Sequence, residues 1–171
     1  MKSIITKLKL SNKQKSLMDQ HAGYGRWCDN WGLSFWNAAY RDGCKPNTRK
    51  LKEVFTNNTK PLYLWMKNLS YRVYQYAFIN LGEAFKRFFS FGMLRKQGLS
   101  QHPRFKNKGK HDSFTIDNCE KPRELNAWNH KLPFISVMRI YEPIETTTQK
   151  LTTSKQTGDW YLSLNYEFTP T

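Results

Sequence analysis

Acidic side chains are scarce in this sequence: thirteen Asp and Glu stand against twenty-eight Lys and Arg in 171 residues, a formal charge of +15. The acids fall singly, with no D-x-D and no acidic cluster, so the converging carboxylates that hold divalent ions for phosphodiester cleavage are missing. Cysteine is scarce as well. Cys28, Cys44 and Cys119 are odd in number and lack C-x-x-C spacing, which argues against a disulfide framework and a zinc site and suits a reducing cytosol. The histidines (His21, His102, His111, His130) show no metal-ligand spacing. Neither a G-x-x-x-x-G-K-[ST] nor a G-x-G-x-x-G phosphate loop occurs. No run approaches the roughly eighteen apolar residues of a membrane helix, and Lys2, Lys7 and Lys9 interrupt any apolar core of a secretory signal. The expectation is therefore no catalytic residue, no metal, no cofactor and no membrane partner, in a cytoplasmic, nucleoid-associated prokaryotic protein.

What the chain does contain is aromatic side chains and positive charge. Six Trp, nine Tyr and eleven Phe are too many for a disordered basic tail, so the chain folds. The charge is uneven: residues 1–110 hold 22 basic and 5 acidic side chains, residues 111–171 hold 6 and 8. A surplus concentrated in this way attracts polyanions, of which nucleic acid is the commonest.

The hydrophobic pattern changes twice along the chain. Ile4 to Leu10 alternates, which predicts a strand with one wet face. Ser11 and Gln14 form a capping-box pair that starts a helix, and Leu17, His21, Tyr24, Cys28, Trp31, Phe35 and Ala38 supply its apolar stripe. Cys28 on that stripe reads as a packed thiol and His21 as a packing residue. Gly23, Gly25 and Gly32 weaken a helix unless another element approaches closely. A short helix is predicted over 48–57, an apolar connection after Pro61, and a long helix capped by Ser70 with Val73, Tyr76, Ala77, Leu81, Ala84, Phe85 and Phe88 on one face, ending before Gly98. Residues 97–110 read as a basic loop. Period-2 alternation then returns around Phe114 and Ile116, over 132–141, and most clearly at Trp160, Leu162, Leu164, Tyr166 and Phe168, with Gly158-Asp159 suiting a hairpin back to 151–155. Strand, helices, strands is the order of an α+β fold whose β unit is interrupted by a helical insertion.

Three segments are candidates for contact with nucleic acid. The first is the loop Arg104, Phe105, Lys106, Lys108 and Lys110, whose cations suit phosphates and whose phenyl ring can stack on an unpaired base or simply pack into the core. The second is the wet face of the first strand, Lys7 and Lys9. The third is the start of the long helix, where Tyr71, Arg72 and Gln75 sit at the positive helix end and Arg and Gln are base-reading side chains.

Several segments together resemble the N-terminal region of TnpB/OrfB-type proteins of insertion sequences, relatives of type V CRISPR effectors. They are KLKLSNKQKSLM, AGYGRWCDNWGLSFW (which contains Arg26), PLYLWMKNLSYRVYQYAFINLGEAFKRFF, PRFKNKGKHDSFTI, HKLPFISVMRIYEPI and LTTSKQTGDWYLSLNYEF. Ser136, Asp29 and the TTTQ loop depart from the usual pattern. The resemblance implies a split β-barrel of wedge-like, oligonucleotide-binding type, with residues 1–11 as its first strand, 12–100 as a helical, helix-turn-helix-like recognition domain, and 101–171 as the rest of the barrel. It implies partners as well: a guide RNA scaffold, duplex DNA carrying a transposon-adjacent motif, and Arg26 among the binding residues. The RuvC nuclease and zinc ribbon of the family are not in the sequence, so the expectation is a binding module without cleavage chemistry. The alternatives are a subunit completed by a separate RuvC-containing chain, a stand-alone DNA-binding regulator, or a decayed transposon remnant.

Overall fold

The structure, a computed structural model, describes residues 2–90, 102–110, 112–117, 123–126, 129–132, 136–141 and 150–166. Strand β1 (Lys2–Lys9) comes first, with the expected alternation: Thr6 and Leu8 are buried while Ile5 and Lys9 are exposed. Helix α1 (Asn12–Arg41) follows, and its start is the predicted capping box, with Ser11 Oγ accepting from the Gln14 amide and Gln14 Oε1 from the Ser11 amide. Helix α2 (Thr48–Val54) is capped by Asn47 and runs on into a π turn (Phe55–Thr59) and two 3-10 turns (Lys60–Leu62 and Leu64–Asn68). Helix α3 (Tyr71–Ser90) then returns alongside α1, the Ser70 hydroxyl accepting from the Arg72 amide at its start.

Helices α1 and α3 run parallel. Gly25 lies against Val73, Gly32 against Phe78 and Leu81, and the Trp36 and Phe85 rings stack at 4.7 Å. A Cβ on Gly32 would meet Leu81 at 3.0 Å and Phe78 at 3.2 Å, so α3 leaves little room for a side chain at this glycine. The buried band of α1 is wider than the predicted stripe and turned from it. It comprises Met18, His21, Ala22, Tyr24, Gly25, Cys28, Gly32, Leu33 and Trp36, whereas Trp31, Phe35 and Ala38 are half-buried. The cause is that α1 is covered on several sides, by α3 along the glycines, by the rings of Phe55, Tyr63 and Trp65 against Trp27, and by Phe114 against His21.

The remaining strands are β2 (Ser113–Asp117), β3 (Arg123–Asn126), β4 (Asn129–Leu132), β5 (Ser136–Ile140), β6 (Lys150–Gln156) and β7 (Asp159–Tyr166). They join β1 in one antiparallel sheet of order β2-β6-β7-β1-β5-β4-β3. Strand β1 is therefore central, paired through residues 2–7 with β7 and at Leu8 and Lys9 with β5. The first strand joins the late ones and the helices are inserted between them: the fold is mixed helix and sheet, of α+β type.

Three sequence expectations need correction. Of the segment 132–141, the strand expected after Pro133 is β5 (Ser136–Ile140), whereas Leu132 belongs to β4, with which β5 pairs from Leu132↔Ser136 outward. The hairpin turn is Thr157-Gly158, one residue earlier than expected, because Gln156 pairs with Asp159; both turn residues have positive φ (51° and 84°), as a type I′ turn requires. Finally, the short helix predicted over 48–57 is α-helical only to Val54, and the π and 3-10 turns that follow lead from it to α3. The predicted end of α3 before Gly98 and the TTTQ loop at 146–149 lie outside the described residues.

One core runs through both parts. Met18, Cys28, Leu51, Phe55 and Phe78 from the helices are continuous with Phe114, Ile116, Met138, Ile140, Trp160 and Leu162 from the sheet. Burial pushes the Cys28 thiol well up, which fits a packing role. Among the described residues no helix is long and apolar enough to cross a membrane.

Candidate nucleic-acid interface

The basic loop is held on the flank of α1. Asn30 Nδ2 donates to the Lys106 carbonyl at 3.0 Å, and its Oδ1 accepts from the Lys106 amide at 2.8 Å. One turn earlier, Arg26 donates to Asp112 at 2.7 Å, and the other oxygen of Asp112 accepts from the Gly109 amide. Gly109 has φ +85°, a left-handed position that suits glycine in the turn over 108–110. Lys106 Nζ closes the set with Asp29 at 2.7 Å. Asp29, one of the departures from the TnpB-type pattern, thus has a local structural role.

These bonds divide the predicted loop residues into two groups. Arg26 and Lys106 face carboxylates, and Arg26 is mostly buried with its partner. Arg104, Lys108 and Lys110 are exposed, as is Phe105, which keeps 54% of its surface in solvent rather than packing into the core. Lysine and arginine side chains pinned at their backbone but outward at their tips can meet phosphates without first ordering the loop.

At the start of α3 the three predicted residues form a cluster. The Arg72 guanidinium lies 4.7 Å over the Tyr71 ring and donates to Gln75 Oε1 at 2.9 Å. Val73, in the same turn as the cluster, and Ser113, three residues after the basic loop, both lie beside Gly25, each 3.4 Å from the position of a Cβ there.

Lys7 and Lys9 lie elsewhere. Thr6 is paired with Leu162 on the face that also carries Trp160 and Phe114 and meets α1, so Lys7 and Lys9 belong to the opposite face. Lys7 is 3.4 Å from Asp159 and lies 5.5 Å over the Tyr141 ring. Lys9 is directly opposite Arg139, and both are exposed. Like charges in register destabilise a sheet, and an anion laid across them removes the penalty. Sequence reasoning missed Arg139 and Tyr141. Their period-2 spacing was visible, but the register that sets Arg139 against Lys9 was not.

Among the described residues no group of three His, Cys, Asp or Glu side chains comes together to hold a metal ion. No protein-family model matches the chain, and no curated protein matches it.

Proposed function

We propose that this chain is a nucleic-acid-binding module of TnpB-like type that holds a guide RNA scaffold and a short motif in duplex DNA, and that it binds without cutting. In this reading the sheet is the wedge-like split barrel and α1–α3 the recognition unit. The binding residues are Arg104, Phe105, Lys108 and Lys110 on the loop, Lys7, Lys9 and Arg139 on the sheet, and Tyr71, Arg72 and Gln75 on α3. Arg26 and Lys106 support the loop from inside.

The observation that carries the reading is the exposed cationic loop fastened to α1 on a chain of net charge +15. The interruption of the sheet by the helices after its first strand is the arrangement that the resemblance implies.

The test is to purify the chain from its native host and sequence the RNA that accompanies it. Enrichment of one structured RNA is expected. Tight binding to duplex DNA with no specific RNA would replace the guide-RNA reading with that of a stand-alone regulator, and binding of neither would overturn both.

A further inference from the structure

At the end of the parallel helix pair lies a cleft of which the proposed contacts use only the Phe105 edge. It has a volume of about 680 Å³ and lies between the last turns of α1 and α3 and the start of the basic loop. Its walls are aromatic: Trp36, Tyr40, Phe88, Phe89, His102 and Phe105. Tyr40 and Phe89 stack at 5.6 Å, and the His102 ring stands edge-on to Phe88 at 5.3 Å. Tyr40, Phe89 and Phe105 are exposed. Water-exposed rings gathered in one hollow are an unusual feature of a soluble surface and mark a binding site.

The surrounding chemistry narrows the occupant. Arg41 lines the cleft, and Arg104 adjoins Phe105 on its loop edge. A second cavity, of about 590 Å³, shares the Trp36, Tyr40, Phe85 and Phe89 wall and is lined by Lys45 and Lys86, with Glu83 the one acidic lining residue among the described residues. Ser34 and Asn37 offer hydrogen-bonding groups within the aromatic cleft. Trp36, in the shared wall, has a buried indole N–H with no acceptor among the described residues. Flat apolar walls, a few polar groups and a cationic rim match a flat heterocycle attached to a phosphate chain.

We propose that this cleft takes an unpaired nucleobase of a single strand, stacked on Phe105 and Tyr40, with the flanking phosphates at Arg41 and Arg104. The proposal rests on the nucleic-acid reading and adds to it a base-stacking site that extends from the contact loop at Phe105 to Tyr40. Stacking is indifferent to sequence because every base has a π face, so the site anchors a strand without reading it.

Fluorescence anisotropy at fixed salt, with a labelled short oligothymidylate and an otherwise identical strand lacking its central bases, tests it. The wild-type chain is expected to bind the complete strand about tenfold more tightly. Phe105→Ala and Tyr40→Ala, both at exposed positions, should bring the ratio close to one while the salt dependence stays unchanged, and Phe105→Trp should retain it. Circular dichroism confirms that each variant folds. Equal affinity of the wild type for the two strands would overturn the stacking site while leaving the nucleic-acid reading in place. Failure to bind either strand would likewise overturn the stacking site, whereas the guide-RNA and duplex-DNA reading falls only if the chain purified from its host binds neither.

Discussion

Asn30 grips the backbone of Lys106 on both sides, donating to its carbonyl and accepting from its amide, across 76 positions of sequence. A side-chain amide has one donor edge and one acceptor edge, so it can complete the hydrogen bonding of an irregular segment as a neighbouring strand would. The loop of exposed cations therefore has a fixed attachment to α1 instead of relying on its own sequence for shape.

Removing that grip should loosen the loop without changing the charge. Asn30→Ala is expected to lower stability by about 1–3 kcal/mol in denaturant unfolding, because two backbone groups lose their partners. Hydrogen exchange at the Lys106 amide should accelerate. Unchanged exchange would show that the loop is held by its other contacts.

The exposed cations and the paired one should separate in a salt titration. Replacing Arg104, Lys108 and Lys110 together with Ala should flatten the plot of log affinity against log salt by about 0.7–0.9 per lost phosphate contact. Arg26→Ala should instead cost roughly 2 kcal/mol of stability by leaving the mostly buried Asp112 carboxylate without its cation. An unchanged slope in the triple variant would mean that the loop is only solvated.

Two glycines of one helix should respond in opposite directions. Gly32→Ala drives a methyl group into Leu81 and Phe78 and is expected to destabilise by about 1–3 kcal/mol. At Gly23 the nearest atom to an added Cβ is the end of the Arg26 side chain, at 3.6 Å, so Gly23→Ala should stabilise by up to about 1 kcal/mol. Thermal melts of the two variants decide whether the α1–α3 contact is as close as the structure has it.

Thr157 occupies a left-handed position that a β-branched residue adopts at a cost. Thr157→Asn keeps the type I′ turn with a residue suited to it and should raise stability by roughly 0.5–1 kcal/mol. No gain would indicate that the threonine has a compensating role in the turn.

His21 should make stability depend on pH. Its Nδ1 donates to the Leu17 carbonyl at 2.7 Å, so Nε2 is the acceptor for the Ser70 amide at 3.3 Å, and the ring is neutral. Burial lowers its pKa below 6.5. The unfolded chain thus takes up the proton first: stability is full above about pH 6.5 and declines as the pH falls below it. Melting temperatures from pH 7.5 to 5 should show that decline, and His21→Leu should flatten it.

Local signals were well represented in the sequence, and they concern neighbours along the chain. The capping box of Ser11 and Gln14, the alternation of β1 and β7, and the start of α3 after Ser70 all depend on residues within a few positions of one another. The surplus of Lys and Arg before residue 110 is likewise legible with no knowledge of the fold. What the tertiary structure alone decided is pairing at a distance. Asn30 with Lys106, Arg26 with Asp112 and Lys9 with Arg139 turn some cations inward and leave others exposed, and Gly32 is explained only by Leu81 and Phe78. Helical and strand periodicity state which side of an element is apolar, but not which element will cover it. That is settled by how the inserted helices close onto β2 and by the register in which β1 enters the sheet.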